Sequence, residues 1–155
     1  MQPKKIGLFG FGTVGKGFYE NLKKHPHVPA IISKVCVKRL DLPRISHELY
    51  FTDDPSELLD DPEIDIIIEV IDDAEAAKEY VQSALALGKH VISANKKMIG
   101  ESLDQVDVWH QEFEPSFLYE AAVGGGIPIV NTMDGFFRDQ EVIQIRGILN
   151  GSSNY

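Results

Sequence analysis

Lys5-Ile6-Gly7-Leu8-Phe9-Gly10-Phe11-Gly12-Thr13-Val14-Gly15 is the stretch that decides the fold. Its first half is apolar and of strand length, and its second half is a G-x-G-x-x-G. Apolar Val14, Phe18 and Leu22 then recur every four residues, the period of an amphipathic helix that ends near His25-Pro26. In the order strand, glycine turn, helix, the three glycines have separate tasks. Gly10 permits the tight turn, Gly12 lets the backbone approach a pyrophosphate, and Gly15 lets the helix lie close to the strand. The helix N-terminus then offers backbone N–H groups to phosphate, so Gly10, Phe11, Gly12, Thr13, Val14 and Gly15 are expected to bind a dinucleotide.

Outward from this loop, strand-length apolar runs alternate with helix-period segments, which is the pattern of a parallel sheet covered on both faces. A second strand is expected at Ala30 to Val37 and a short third one at Leu49 to Phe51, after a polar, proline-broken segment from Arg39 to His47. Asp54-Pro55-Ser56-Glu57 predicts a short helix, with Asp54 as N-cap, Pro55 in the first position and Glu57 closing a capping box. Asp65 to Ile71 is the most strongly apolar strand. The helix after it turns Ala77, Val81, Ala84 and Leu85 inward and stops at Gly88, and Asp73 is placed to cap it. His90 to Ser93, a helix over Leu103 to Phe113, and Phe117 to Tyr119 continue the alternation until Gly124-Gly125-Gly126 breaks it. Beyond the triplet, Ile127 to Phe137 predicts a helix with Pro128 in its first turn, and Gln140 to Leu149 predicts a strand. The expected fold is α/β, Rossmann-type and doubly wound, a mainly parallel sheet with helices on both faces. Residues 1–135 are expected to form the NAD(P)-binding domain and 136–155 to begin a further substrate and dimerisation region.

The charge balance narrows the function. With 24 acids against 15 bases the chain carries a formal charge of -9, which argues against a nucleic-acid interface. No apolar run approaches the roughly 20 residues needed to span a bilayer, and the start of the chain has no charged leader before an apolar stretch. Cys36 is the single cysteine and sits in an apolar run, as a small core residue would. A cytoplasmic protein without nucleic-acid or membrane partners is the expectation. The five histidines show no metal-ligand spacing, and Trp109 is expected to be helix core.

Cofactor choice is expected at the end of the second strand, where an acid bonds the ribose hydroxyls of NAD and a base accommodates the extra phosphate of NADP. The strand ends Val37-Lys38-Arg39, so Lys38 and Arg39 favour NADP. Asp41 is near enough to serve NAD in a shifted register, so NAD stays the alternative.

Three later stretches carry a resemblance: Gly88-Lys89-His90-Val91-Ile92-Ser93-Ala94-Asn95-Lys96, Tyr119-Glu120-Ala121-Ala122-Val123-Gly124-Gly125-Gly126-Ile127-Pro128, and Arg146-Gly147-Ile148-Leu149-Asn150-Gly151-Ser152-Ser153-Asn154-Tyr155. With the glycine loop they closely resemble homoserine dehydrogenase, from Ile6 to the last residue. The resemblance implies reduction of aspartate 4-semialdehyde to homoserine with NADPH or NADH, on the route to threonine, methionine and isoleucine. It implies that Ser93 and Lys96 lie by the nicotinamide, with serine in place of the family's usual threonine and Lys96 as a candidate for proton transfer. It further implies a monovalent cation, usually sodium, held by Glu120 and the carbonyls of Val123, Gly125 and Ile127. A homodimer is implied for the full-length enzyme.

Two departures accompany the resemblance. Asp72-Asp73 stands where the family commonly has two glycines, and an acid there repels a nearby phosphate. The family's substrate-gripping acids and its usual catalytic lysine follow the segment matched by Asn150 to Tyr155. The expectation is thus a cofactor-binding fragment with little or no turnover of its own. Sugar-dehydrogenase-type enzymes share the Gly-Lys-His-Val strand but not the Glu120 to Pro128 stretch. A nucleotide-sensing module without catalysis is the other alternative.

Overall fold

Six mutually parallel strands build the sheet of the computed structural model, which describes residues 2–42 and 48–147. They are β1 (Lys4–Phe9), β2 (Ala30–Cys36), β3 (Tyr50–Thr52), β4 (Ile66–Glu69), β5 (His90–Ser93) and β6 (Phe117–Leu118), in the spatial order β3-β2-β1-β4-β5-β6. The chain therefore winds outward from β1 in one direction, returns, and winds outward in the other. The two halves part between β1 and β4, and above the carboxyl ends of those strands lies the crevice where doubly wound sheets bind ligands.

Helices α1 (Thr13–Lys24), α2 (Ser56–Leu59), α3 (Ala74–Ala86), α4 (Lys96–Glu101), α5 (Leu103–Glu112) and α6 (Ile129–Phe137) lie among the described residues, with a 3-10 turn at Glu120–Ala122. The alternation of side chains along each strand produces two cores. Ile6, Leu8, Val35 and Ile68 face Phe18 and Leu22 of α1. Phe9, Ile67 and Val91 face the opposite way, against Leu58 of α2, Val81 and Leu85 of α3, Met98 of α4 and Trp109 of α5. Ala77, Val81 and Ala84 are completely buried and Leu85 is almost so, as the period of α3 predicts. Gly88 ends that run with φ +78°. The Trp109 ring meets Phe117 edge to face at 5.5 Å between centroids.

Several expectations need correction. Val14 continues the spacing of Phe18 and Leu22 but is 56% exposed, because the first turn of α1 stands past the end of β1 and lines the crevice. Asp54 does take the Ser56 N–H at 2.9 Å, yet Glu57 closes no capping box. The Asp54 N–H donates instead to Thr52 Oγ1 at 3.1 Å, and Glu57 accepts from Thr52 Oγ1 at 2.7 Å and from the Tyr50 hydroxyl at 2.9 Å. Helix α4 was not foreseen. In the expected strand from Gln140, residues 141–147 are irregular and mostly exposed, with Ile143 at 93%. Alternating apolar residues form a strand only when a neighbouring ladder satisfies their backbone, and no strand of the sheet pairs with this segment. Residues 43–47, with His47, and residues 148–155, with the Asn150 to Tyr155 motif, lie outside the described residues.

Candidate functional site

The turn after β1 is held by its glycines. Gly10 has φ +98°, and a Cβ there would stand 2.9 Å from the Val70 carbonyl oxygen of the neighbouring β4 strand end. At Gly15 the constraint is steric. A Cβ would come within 2.3 Å of the Gly10 carbonyl oxygen, so only glycine lets α1 begin this close to β1. Gly12 differs from both, since a Cβ added to it meets nothing within 4 Å. Gly12 is the N-cap of α1, without a side-chain cap and with no acid in the first turn. The first-turn N–H groups thus have no side-chain acceptor, and the positive end of the helix stands free for an anion.

These residues form one wall of a cleft of about 550 Å³ over the parting of β1 and β4. Gly10, Phe11, Gly12, Thr13 and Val14 line it from the loop side, and Gly15 lies buried beneath. Lys38 and Arg39 reach it from the end of β2, and Ile71, Asp72 and Ala94 from the ends of β4 and β5. Lys16, one turn into α1, also lines it. Sequence reasoning missed Lys16, although its place directly after the third glycine signals a first-turn side chain. A smaller cavity of about 300 Å³ shares the Val37, Lys38, Ile71 and Asp72 walls. It adds Cys36, Asp53 and Tyr80, whose ring stacks on Phe9 at 4.5 Å. Burial and the nearby acids push the Cys36 thiol up to about 11, so it stays a neutral thiol.

The paired acids divide their work. The Asp73 carboxylate accepts the Ala76 N–H at 3.2 Å and caps α3, while Asp72 lines the cleft itself. Ser93 does not reach the cleft. It is completely buried, and its hydroxyl donates to Glu69 Oε2 at 2.6 Å. Lys96, the first residue of α4, is exposed and likewise does not line the cleft.

The candidate cation ligands gather elsewhere, beyond β6. Glu120 accepts the Val130 N–H at 3.0 Å through one oxygen and the Asn131 N–H at 2.7 Å through the other, and so caps α6. Gly124 and Gly125 adopt φ +71° and +64°, and the Ile127 carbonyl accepts the Ile129 N–H at 2.8 Å. Each of these oxygens accepts a single amide N–H and keeps a further lone pair. Among the described residues no group of three or more His, Cys, Asp or Glu side chains is placed to hold a metal ion.

A family model described as the NAD-binding domain of homoserine dehydrogenase matches residues 10–112. The chain belongs to the homoserine dehydrogenase family. Homoserine dehydrogenase of Bacillus subtilis is 33% identical over 170 residues, a match that covers all of this chain and 38% of that protein. The crystal structure of a homoserine dehydrogenase from Thiobacillus denitrificans superposes with a TM-score of 0.78 at 35% identity, over 86% of this chain and 33% of that one. A hyperthermophilic archaeal homoserine dehydrogenase in complex with NADPH shares the fold, with a TM-score of 0.70 at 22% identity, over 85% of this chain and 48% of that one. The chain thus spans between a third and just under a half of the length of these relatives. Its glycine cleft falls inside the matched residues, whereas the turn at Glu120 lies outside them. No helix among the described residues is long and apolar enough to cross a membrane.

Proposed function

We propose that the chain holds NADP(H), with NAD(H) as second choice, for a homoserine dehydrogenase that reduces L-aspartate 4-semialdehyde to L-homoserine. The observation that carries this reading is the open face of Gly12 under an uncapped helix N-terminus, in a cleft whose far end bears Lys38 and Arg39. A pyrophosphate placed at Gly12 meets backbone N–H groups without displacing any side chain. Lys38 and Arg39 then lie where a ribose 2'-phosphate is read, and Lys16 adds a third positive group along the same wall. When bound, the reduced nicotinamide supplies the hydride. Ile71 and Ala94 give that half of the cleft an apolar floor. Lys96, exposed at the start of α4, is the proposed holder of the proton that the substrate oxygen takes up.

Ser93 serves in this scheme from beneath the floor, because its hydroxyl is spent on Glu69. A monovalent cation held by Glu120 and the carbonyls of Val123, Gly125 and Ile127 is part of the proposal, since the Glu120 oxygens keep lone pairs beyond those spent on α6, and no step is routed through it. Residues 1–135 form the proposed cofactor domain and 136–155 the start of the substrate and dimerisation region; the boundary at 135 falls inside α6. A cytoplasmic homodimer completes the proposal. The test is a side-by-side titration of the chain with NADPH and NADH. Tighter binding of NADPH is expected, and failure to bind either nucleotide would overturn the proposal.

A further inference from the structure

Glu69 ends β4, is completely buried, and has no part in the chemistry above. Three donors converge on it. Oε2 accepts the Ser93 hydroxyl at 2.6 Å, and Oε1 accepts the Ile71 N–H at 2.8 Å and the Asn95 side-chain amide at 3.4 Å. Asn95 extends the network. Its side-chain amide also donates to the Ile71 carbonyl at 3.1 Å, its backbone N–H donates to Ser93 Oγ at 3.1 Å, and its Oδ1 accepts the Met98 N–H at 3.0 Å to cap α4.

None of the three partners of Glu69 carries a charge, and burial raises its carboxyl from the ordinary glutamate value against the pull of those hydrogen bonds. A buried acid held only by neutral donors is a costly way to join two strands that already share a ladder, in which Glu69 pairs with Ser93. What the carboxylate fixes beyond the ladder is the backbone past both strand ends, at Ile71 on one side and at Asn95 on the other. Val70, Ile71 and Asp72 bring the first of those ends to the cleft, and Ala94 the second.

We propose that Glu69 is a positioning residue for the dinucleotide. From beneath the cleft it holds the Ile71 and Ala94-Asn95 turns as a rigid floor for the nicotinamide half, and this rests on the dinucleotide reading above. In a doubly wound sheet each half of the dinucleotide lies over its own half of the sheet. The adenosine half belongs to the β1, β2 and β3 side, with Lys38 and Arg39, and the nicotinamide half to the β4 and β5 side that Glu69 braces. Loosening the floor therefore acts on one half of the ligand and spares the other.

The experiment titrates the 155-residue chain and its Glu69→Ala, Glu69→Gln and Asn95→Ala variants with NADPH and with 2',5'-ADP, a probe of the adenosine half alone, with thermal melts alongside. Glu69→Ala is expected to weaken NADPH about tenfold while 2',5'-ADP stays within about twofold, because lost preorganisation falls only on the half that uses the floor. Glu69→Gln keeps an acceptor for the Ile71 N–H and recovers most of the loss. Should Glu69→Ala fail to fold, Asn95→Ala carries the test, with the same selective loss expected. Folded variants that bind NADPH as the parent does, or that lose NADPH and 2',5'-ADP equally, overturn the positioning role. A parent chain that binds neither nucleotide overturns the dinucleotide reading as well.

Discussion

Gly12 and Gly15 stand three residues apart in one loop and answer to opposite constraints. Gly15 is required by the fold, since its absent Cβ would otherwise stand 2.3 Å from a carbonyl oxygen, whereas Gly12 has open space where its Cβ would be. Gly15→Ala is therefore expected to destabilise the chain by about 1–3 kcal/mol or more, read by urea unfolding. Gly12→Val should melt close to the parent yet abolish NADPH binding, because its side chain occupies the pyrophosphate position; parent-like affinity would move that position elsewhere. Asp72 makes a further residue-scale prediction. An acid in the lining of a phosphate cleft opposes the ligand, so Asp72→Asn is expected to tighten NADPH a few-fold, with the gain shrinking as salt is added. Glu69 sets a pH dependence. Its folded pKa is raised, so the stability it contributes is fully present below the ordinary carboxylate pKa and is lost as pH rises through the folded value. Asp61 and Asp65 shift the other way, each lowered by its own hydrogen bonds, so only the difference between parent and Glu69→Gln isolates the Glu69 contribution. That difference should change with pH in this window and vanish as a pH-dependent quantity above it.

The elements differ in how far their own residues specify them. Helix α3 is locally complete, with Asp73 as cap, a fully apolar inner face and Gly88 as terminator. Asp73→Ala is expected to cost about 1 kcal/mol, a fall of a few degrees in melting temperature. A larger loss would mean that Asp73 does more than cap. Strand β2 carries a register shift against β1 between Ile6 and Gly7, with Ser33 the extra residue, and no local signal announces it. Helix α4 has only six residues, among them Gly100, and relies on the Asn95 cap and on burial of Met98 and Ile99. So short a helix is marginal by itself, which is why no helical period announces it in the sequence.

At the scale of the molecule, a chain of net charge -9 presents Lys16, Lys38 and Arg39 along one cleft. Local placement outweighs overall charge for a bound phosphate, because screening in physiological salt confines the field of distant acids to about 8 Å. Replacing both Lys38 and Arg39 by Ala is expected to weaken NADPH about tenfold more than NADH, the worth of roughly one charge-assisted hydrogen bond. Equal losses for the two nucleotides would show that neither side chain reads the 2'-phosphate.

The doubly wound class, the glycine turn and the inward face of α3 were legible in the sequence, because each is set by local periodicity and by backbone conformations open to few residue types. The family was legible too, through three short stretches whose residue types recur together. Contacts between residues distant in the chain were not. That Ser93 turns from the cleft to Glu69 depends on which strand lies beside β5, and strand order is a property of the assembled sheet. That Glu120 caps α6 depends on the path taken by the glycine triplet between them. The alternating residues after Gln140 show the same limit, since a period of two states which face is apolar but supplies no neighbouring backbone to bond. The sequence by itself determined the six strands of the sheet, five of the six described helices and the glycine turn that leaves the start of α1 uncapped. The tertiary structure alone decided which buried polar groups face each other, because burial removes water as a partner and leaves that choice to geometry.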